Sequence, residues 1–133
     1  MVSEQFLSIV ELICEKDARY KEEAYEFVME ALSYTQKRFS RVKHVSGDEL
    51  LEGIKELLLN KFGPMTVTVL QHWGIRSTED FGNIVFHLVE NRILSKTDDD
   101  TVESFKKGFD FQEVFSVGYR QSLERKISRM RSF

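Results

Sequence analysis

The run FGPMTVTVLQHWGIRSTEDFGNIVFHLVE, residues 62–90, limits the fold more than any other segment, because helix stops, helix starts and apolar stripes follow one another closely in it. Gly63 predicts the end of one helix and Pro64 the start of the next, since a first helical turn has no use for the N–H that proline lacks. Met65, Val69, Leu70 and Trp73 would supply the buried side of a helix over 64–73. Gly74 fits a left-handed stop, and Ile75 the hydrophobic contact that often follows one. Ser77 or Thr78 then caps a helix over 78–92, with Glu79 and Asp80 where its dipole favours acid. Phe81, Ile84, Val85 and Leu88 form one stripe of that helix, and Phe86, Val89 and Ile93 an adjoining one. A helix apolar over so wide an arc is expected at the centre of its domain. Gly82 inside it costs about 1 kcal/mol relative to alanine, which predicts a closely packed neighbour.

The same periodicity extends upstream. Phe6, Ile9, Val10 and Ile13 share one face of a helix over 4–15. Asp17 is placed as the N-cap of a longer helix, 18–40, with Ala24, Phe27, Val28, Ala31, Leu32 and Thr35 as its core stripe. Tyr20, Tyr25 and Tyr34 stand around it, expected to bury their rings and keep their hydroxyls wet. After the connector RVKHVSGDEL, Ser46 and Glu49 have the spacing of a capping box. The helix behind them, 48–62, carries Leu50, Leu51, Ile54, Leu57, Leu58 and Phe62.

Downstream, Thr97 is placed as the cap of a short helix, and Phe105, Phe109, Phe111 and Phe115 are expected to fold back on the core. The segment Ile93–Phe115 is compatible with a β-wing or with a helix and loop. The last stretch differs in composition. Arg120, Arg125, Lys126, Arg129 and Arg131 outweigh Glu124, while Tyr119, Leu123, Ile127 and Met130 recur at helical spacing. This reads as a basic amphipathic helix, 119–133, appended to a helical domain, 1–118. Within that domain 1–42 would form a helical pair and 47–117 a tri-helical part that admits a winged-helix shape. The fold class is mainly α.

Bulk properties narrow the function. A chain of 133 residues can bury a core without staples. With a single proline, it leans helical. A net charge of −3 argues against coating a duplex, which needs concentrated Lys and Arg, though a local basic patch stays open. Cys14 stands alone, so neither an internal disulfide nor a cysteine metal cluster is expected. The N-terminal residues lack the pattern of a secretory signal, and no apolar run approaches the roughly 20 residues of a membrane span. The expected setting is the reducing cytoplasm.

No catalytic, cofactor-binding or metal-ligating set emerges. His44, His72 and His87 have no HxxxH or HExxH spacing. The nearest candidate, Asn83, His87 and Glu90, is read as the polar face of a helix. A calcium loop starting at Asp98 would need glycine at its sixth position and glutamate at its twelfth, where Glu103 and Phe109 stand. Phosphate-cradling glycine motifs and a nucleophile elbow are missing. Cys14 has acidic neighbours, which do not activate a thiol. As a helix-turn-helix unit, the 78–92 helix would enter the major groove with Asp80, Asn83, His87, Glu90 and Asn91 outward, and an acidic face repels phosphate.

The blocks HVSGDELLEGI (44–54), FGPM (62–65), HWGIRSTEDFG (72–82) and IVFHLVE (84–90), with YKEEAYEFVMEAL (20–32) before them and the KT…D…F block beyond Lys96, resemble a small bacterial family of uncharacterised proteins. The likeness covers roughly residues 18–117 and is carried by the blocks in combination. It implies a single domain in a bacterial cytoplasm and no activity, cofactor or catalytic residue. The functional expectation is a non-enzymatic interaction or regulatory protein. Its tail would place Tyr119, Leu123, Ile127 and Met130 against an unidentified protein partner. The alternative is a nucleic-acid-binding protein using Arg120, Arg125, Lys126, Arg129 and Arg131. Homo-oligomerisation stays open.

Overall fold

Among the described residues seven α-helices follow one another: α1 (Glu4–Lys16), α2 (Glu22–Arg38), α3 (Gly47–Phe62), α4 (Thr66–Trp73), α5 (Thr78–Glu90), α6 (Asp99–Lys107) and α7 (Tyr119–Met130). A 3-10 turn, Gly63–Met65, joins α3 to α4, and a π-helical segment, Gln112–Gly118, leads into α7. The computed structural model describes the backbone of residues 3–95 and 99–130, and the side chains of 3–95, 102–116 and 124–129. Among the described residues there is no strand. Of the two readings for 93–115, the described part takes the helical one.

Local chemistry sets most of the boundaries. Ser46 Oγ accepts from the Glu49 N–H at 3.0 Å and Glu49 Oε1 accepts from the Ser46 N–H at 2.9 Å, the reciprocal box that starts α3. Gly74 ends α4 at φ 85°, and its N–H and that of Ile75 return to carbonyls of the last turn. Ile75 is buried behind that stop. At the start of α5 the Ser77 N–H donates to Asp80 Oδ2 at 3.2 Å. The other end of α5 has no glycine: Arg92 takes the left-handed conformation at φ 61°. The helix therefore stops at Glu90, two residues short of the expected 92.

Two expectations change here. Asp17 does not cap α2. It caps the C-terminus of α1, its carboxylate is held by Arg19, and α2 starts only after Lys21. Met65 and Phe86, expected on buried stripes, are more than half exposed. Thr97 and Asp98 lie outside the described residues.

The core runs through the fold from Val10 to Phe115. Helices α2 and α3 pack closely along each other, α6 lies against both α3 and α5, and α5 also meets α2. Contact between α2 and α3 is close enough that a Cβ on Gly53 would overlap Thr35 Oγ1. A Cβ on Gly82 would lie 3.0 Å from Phe105 Cβ, so the closely packed neighbour expected there is α6. Thr78 reinforces that contact, donating Oγ1–H to the Phe105 carbonyl at 2.7 Å. Phe109, Phe111 and Phe115 fold back as a ring cluster with centroids 5.6–5.9 Å apart, and Phe111 meets Phe81 edge-on at 6.2 Å.

Candidate functional site

Two places bring chemistry-bearing residues together: the corner between α1 and α2, and the surface around α7. At the corner, Asp17, Arg19 and Tyr20 lie on the connector that turns the chain from α1 into α2. The Lys21 N–H donates to the Trp73 carbonyl at 3.1 Å, which seats this connector against the end of α4. Tyr20 then reaches Asp80 on α5 through its hydroxyl, and Asn83 Nδ2 donates to the same hydroxyl at 2.9 Å. One turn further along α5, His87 Nδ1 meets the Tyr25 hydroxyl at 2.8 Å, and His87 Nε2 lies 3.4 Å from Asp17 Oδ2.

The electrostatics follow from this geometry. Arg19 hydrogen-bonds Asp17 through Nε and Nη2, the latter at 2.7 Å, and holds the carboxyl down to about 2; nearby His87 acts in the same direction. Burial raises the Tyr20 phenol to about 12, and it pushes that of Tyr25 well above the ordinary range. The Cys14 thiol is raised by its burial and by Glu22, Asp17 and Glu23, consistent with an unactivated cysteine.

Residues Asp80, Asn83 and His87, expected on an open polar face, are thus engaged with the α1–α2 corner. Asn91 is exposed as expected, with Nδ2 donating to the His87 carbonyl at 2.8 Å at the end of its own helix. Nor are the hydroxyls of Tyr20 and Tyr25 wet. Both rings are buried, and each hydroxyl is used inside the fold.

A cavity of about 320 Å³ opens beside His87, lined also by Asp17 and Glu90. A histidine converging with carboxylates is the constellation that acid–base chemistry needs. Here Nδ1 is hydrogen-bonded to a fully buried phenol, and Nε2 faces, at 3.4 Å, a carboxylate already held by Arg19. Proton transfer through Nδ1 would have to break its hydrogen bond to Tyr25. The arrangement acts as an interlock between the α1–α2 corner and α5. His44 and His72 are exposed and far from it in sequence, and among the described residues no group of His, Cys, Asp and Glu could hold a metal ion.

The second place is the tail. Residues 124–129 of α7 are all exposed, and Ile127 retains 40% of its surface. Ile127 is the one residue of the apolar stripe whose side chain is described. Arg125, Lys126 and Arg129 are exposed around it. Tyr119, Arg120, Leu123 and Met130 belong to α7 by their backbone, their side chains lying outside the described set, and Arg131 is outside it altogether. Helix α7 continues directly from the π-helical segment just before it.

Elsewhere on the surface, a groove of about 770 Å³ lies along α1 and α2, with Phe6, Met29 and Ile93 among its apolar residues and Glu26 and Glu30 among its polar ones. Sequence patterning missed this groove because its floor combines residues from separate elements that are each only half-buried. No family model, curated protein or solved structure matches the chain.

Proposed function

We propose that the chain is a non-enzymatic protein-interaction or regulatory module that engages its partner through α7. The observation that carries this reading is the exposure of 124–129, Ile127 included, on a helix whose sequence keeps an apolar stripe of Tyr119, Leu123, Ile127 and Met130. An amphipathic helix of this kind is suited to lie in an apolar groove, with anchors at intervals of three and four residues. A bacterial, cytoplasmic setting belongs to the proposal through the family resemblance of residues 18–117. It accords with the described residues containing no helix long and apolar enough to cross a membrane. The division between a domain at 1–118 and a docking helix beyond it belongs to it too.

Crosslinking and affinity purification from the native cell test the proposal, with the intact chain and an Ile127→Asp variant as baits and half of each sample treated with nuclease. The expected result is a specific protein retained after nuclease and lost from the variant. Retention by both baits alike would overturn docking through α7.

Exposure of Arg125, Lys126 and Arg129 favours a second reading, binding to nucleic acid with Arg120 and Arg131 as further phosphate contacts. The tri-helical, winged-helix-like outline of 47–117 belongs to this reading, supported by the short turns joining α3, α4 and α5. Contact would run through the tail, since Asp80, Asn83 and His87 of α5 are engaged within the fold. Material lost on nuclease treatment, with affinity falling steeply as salt rises, would favour it over a protein partner.

A further inference from the structure

We infer that the partner of α7 is a second copy of this chain, and that α7 of each copy lies in the groove between α1 and α2 of the other. The inference rests on the reading of α7 as a docking helix and names its occupant. Three observations support it.

The first is charge. Residues 119–133 carry five cations against one anion, a net +4, which leaves −7 on residues 1–118 of the chain's −3. The chain thus has a strongly basic arm and a strongly acidic body, and two copies would be drawn together arm to body.

The second is where the acid lies. Glu23, Glu26 and Glu30 are spaced i, i+3, i+7 and share one face of α2 beside the groove. Lys61 already holds Glu30 at 2.7 Å, whereas Glu26 pairs with no cation among the described residues. Lys126 is exposed and adjoins Ile127 on the arm, so an isoleucine in the groove would bring an ammonium near its rim.

The third is shape and surface. Phe6, Met29 and Ile93 present a half-buried apolar floor in a space of about 770 Å³. The 12 residues of α7 form a rod about 18 Å long with the apolar stripe such a floor needs. When one surface gives an arm and another accepts it, a two-fold axis satisfies both in a closed pair.

The test is the mass of the intact chain in solution across a dilution series, by light scattering or sedimentation. A species of twice the 15.6 kDa monomer mass is expected. Ile127→Asp on the arm and Glu26→Lys on the groove rim should each weaken the pair by at least about tenfold. Neither residue belongs to the buried core, so far-UV circular dichroism should stay unchanged. An equimolar mixture of the two variants should recover a heterodimer, because it restores one intact arm and one intact groove. Rising salt should weaken the pair through its ion pairs.

A chain that stays monomeric at every concentration would overturn the inference. So would a dimer that Ile127→Asp breaks and Glu26→Lys does not, which would mean that the arms pair with each other. In either case, a distinct protein captured only by baits with an intact Ile127 would leave the docking role of α7 standing. Capture indifferent to Ile127 would remove both.

Discussion

His87 shows how much a single side chain can tie together. Its two nitrogens join Tyr25 on α2 to Asp17 at the end of α1, and Asp17 in turn is held by Arg19. Because Asp17 titrates near 2 in the fold against an ordinary 3.8, the folded state favours its ionised form. That contribution is complete above pH of about 4 and disappears as pH falls through about 2. Asp17→Asn should therefore be less stable than the parent at neutral pH, and the difference in thermal midpoint should close between about pH 4 and pH 2. A difference that persists unchanged at pH 2 would show that the carboxylate's charge is not the source. Little of this was legible in the sequence. Asp17 has the local look of an N-cap, and only the folded chain reveals that Arg19 claims its carboxylate. Tyr25 and His87 are separated by 62 positions, and no local pattern links them. Likewise, Asn83 and Asp80 looked like an open polar face until Tyr20 was placed against them.

Elements whose ends are set by neighbouring residues were read well. Ser46 with Glu49 and Gly74 with Ile75 each act within a few positions, so spacing alone identifies them; Gly63 ends α3 as expected, but Pro64 lies in the 3-10 turn and α4 starts only at Thr66. Ser46→Ala removes one arm of the α3 box and should cost about 1 kcal/mol in chemical denaturation. No change would mean that Arg41, which holds Glu49 at 2.9 Å, suffices to start the helix. Contacts between elements were harder to read. Gly82 signalled a close neighbour without saying which, and Gly53 gave no signal at all. A Cβ at Gly53 would collide with Thr35, whose Oγ1 donates to the Ala31 carbonyl at 2.7 Å inside the α2–α3 contact. Gly53→Ala should destabilise the fold by about 1–3 kcal/mol, as overpacking does. In a Thr35→Ala background the same change should cost less, because the obstructing hydroxyl is gone. Equal costs in both backgrounds would contradict the contact. On the adjoining stripe of α5, Val89 and Ile93 pack partly buried against the core, and Phe86 alone departs from the expectation. Phe86 has the right period, but α6 covers the neighbouring face at Gly82 and leaves the ring more than half exposed.

Across the whole molecule, the buried core is continuous from Val10 to Phe115, and the described part of α7 adds nothing to it. The change in composition at residue 119 was visible in the sequence, since basic residues gather there against an acidic remainder. The groove that would receive the helix was not, because Phe6, Met29 and Ile93 meet only after folding. If α7 is an arm and not part of the core, a chain ending at Gly118 should keep its fold. The most direct measurement is urea unfolding of that truncated chain beside the full one carrying Ile127→Asp, so that neither gains stability from pairing. Unfolding free energies within about 0.5 kcal/mol of each other are expected, as for surface changes away from the core. A truncated chain that loses several kcal/mol, or does not fold, would contradict the account by making α7 part of the structure it was thought to extend from.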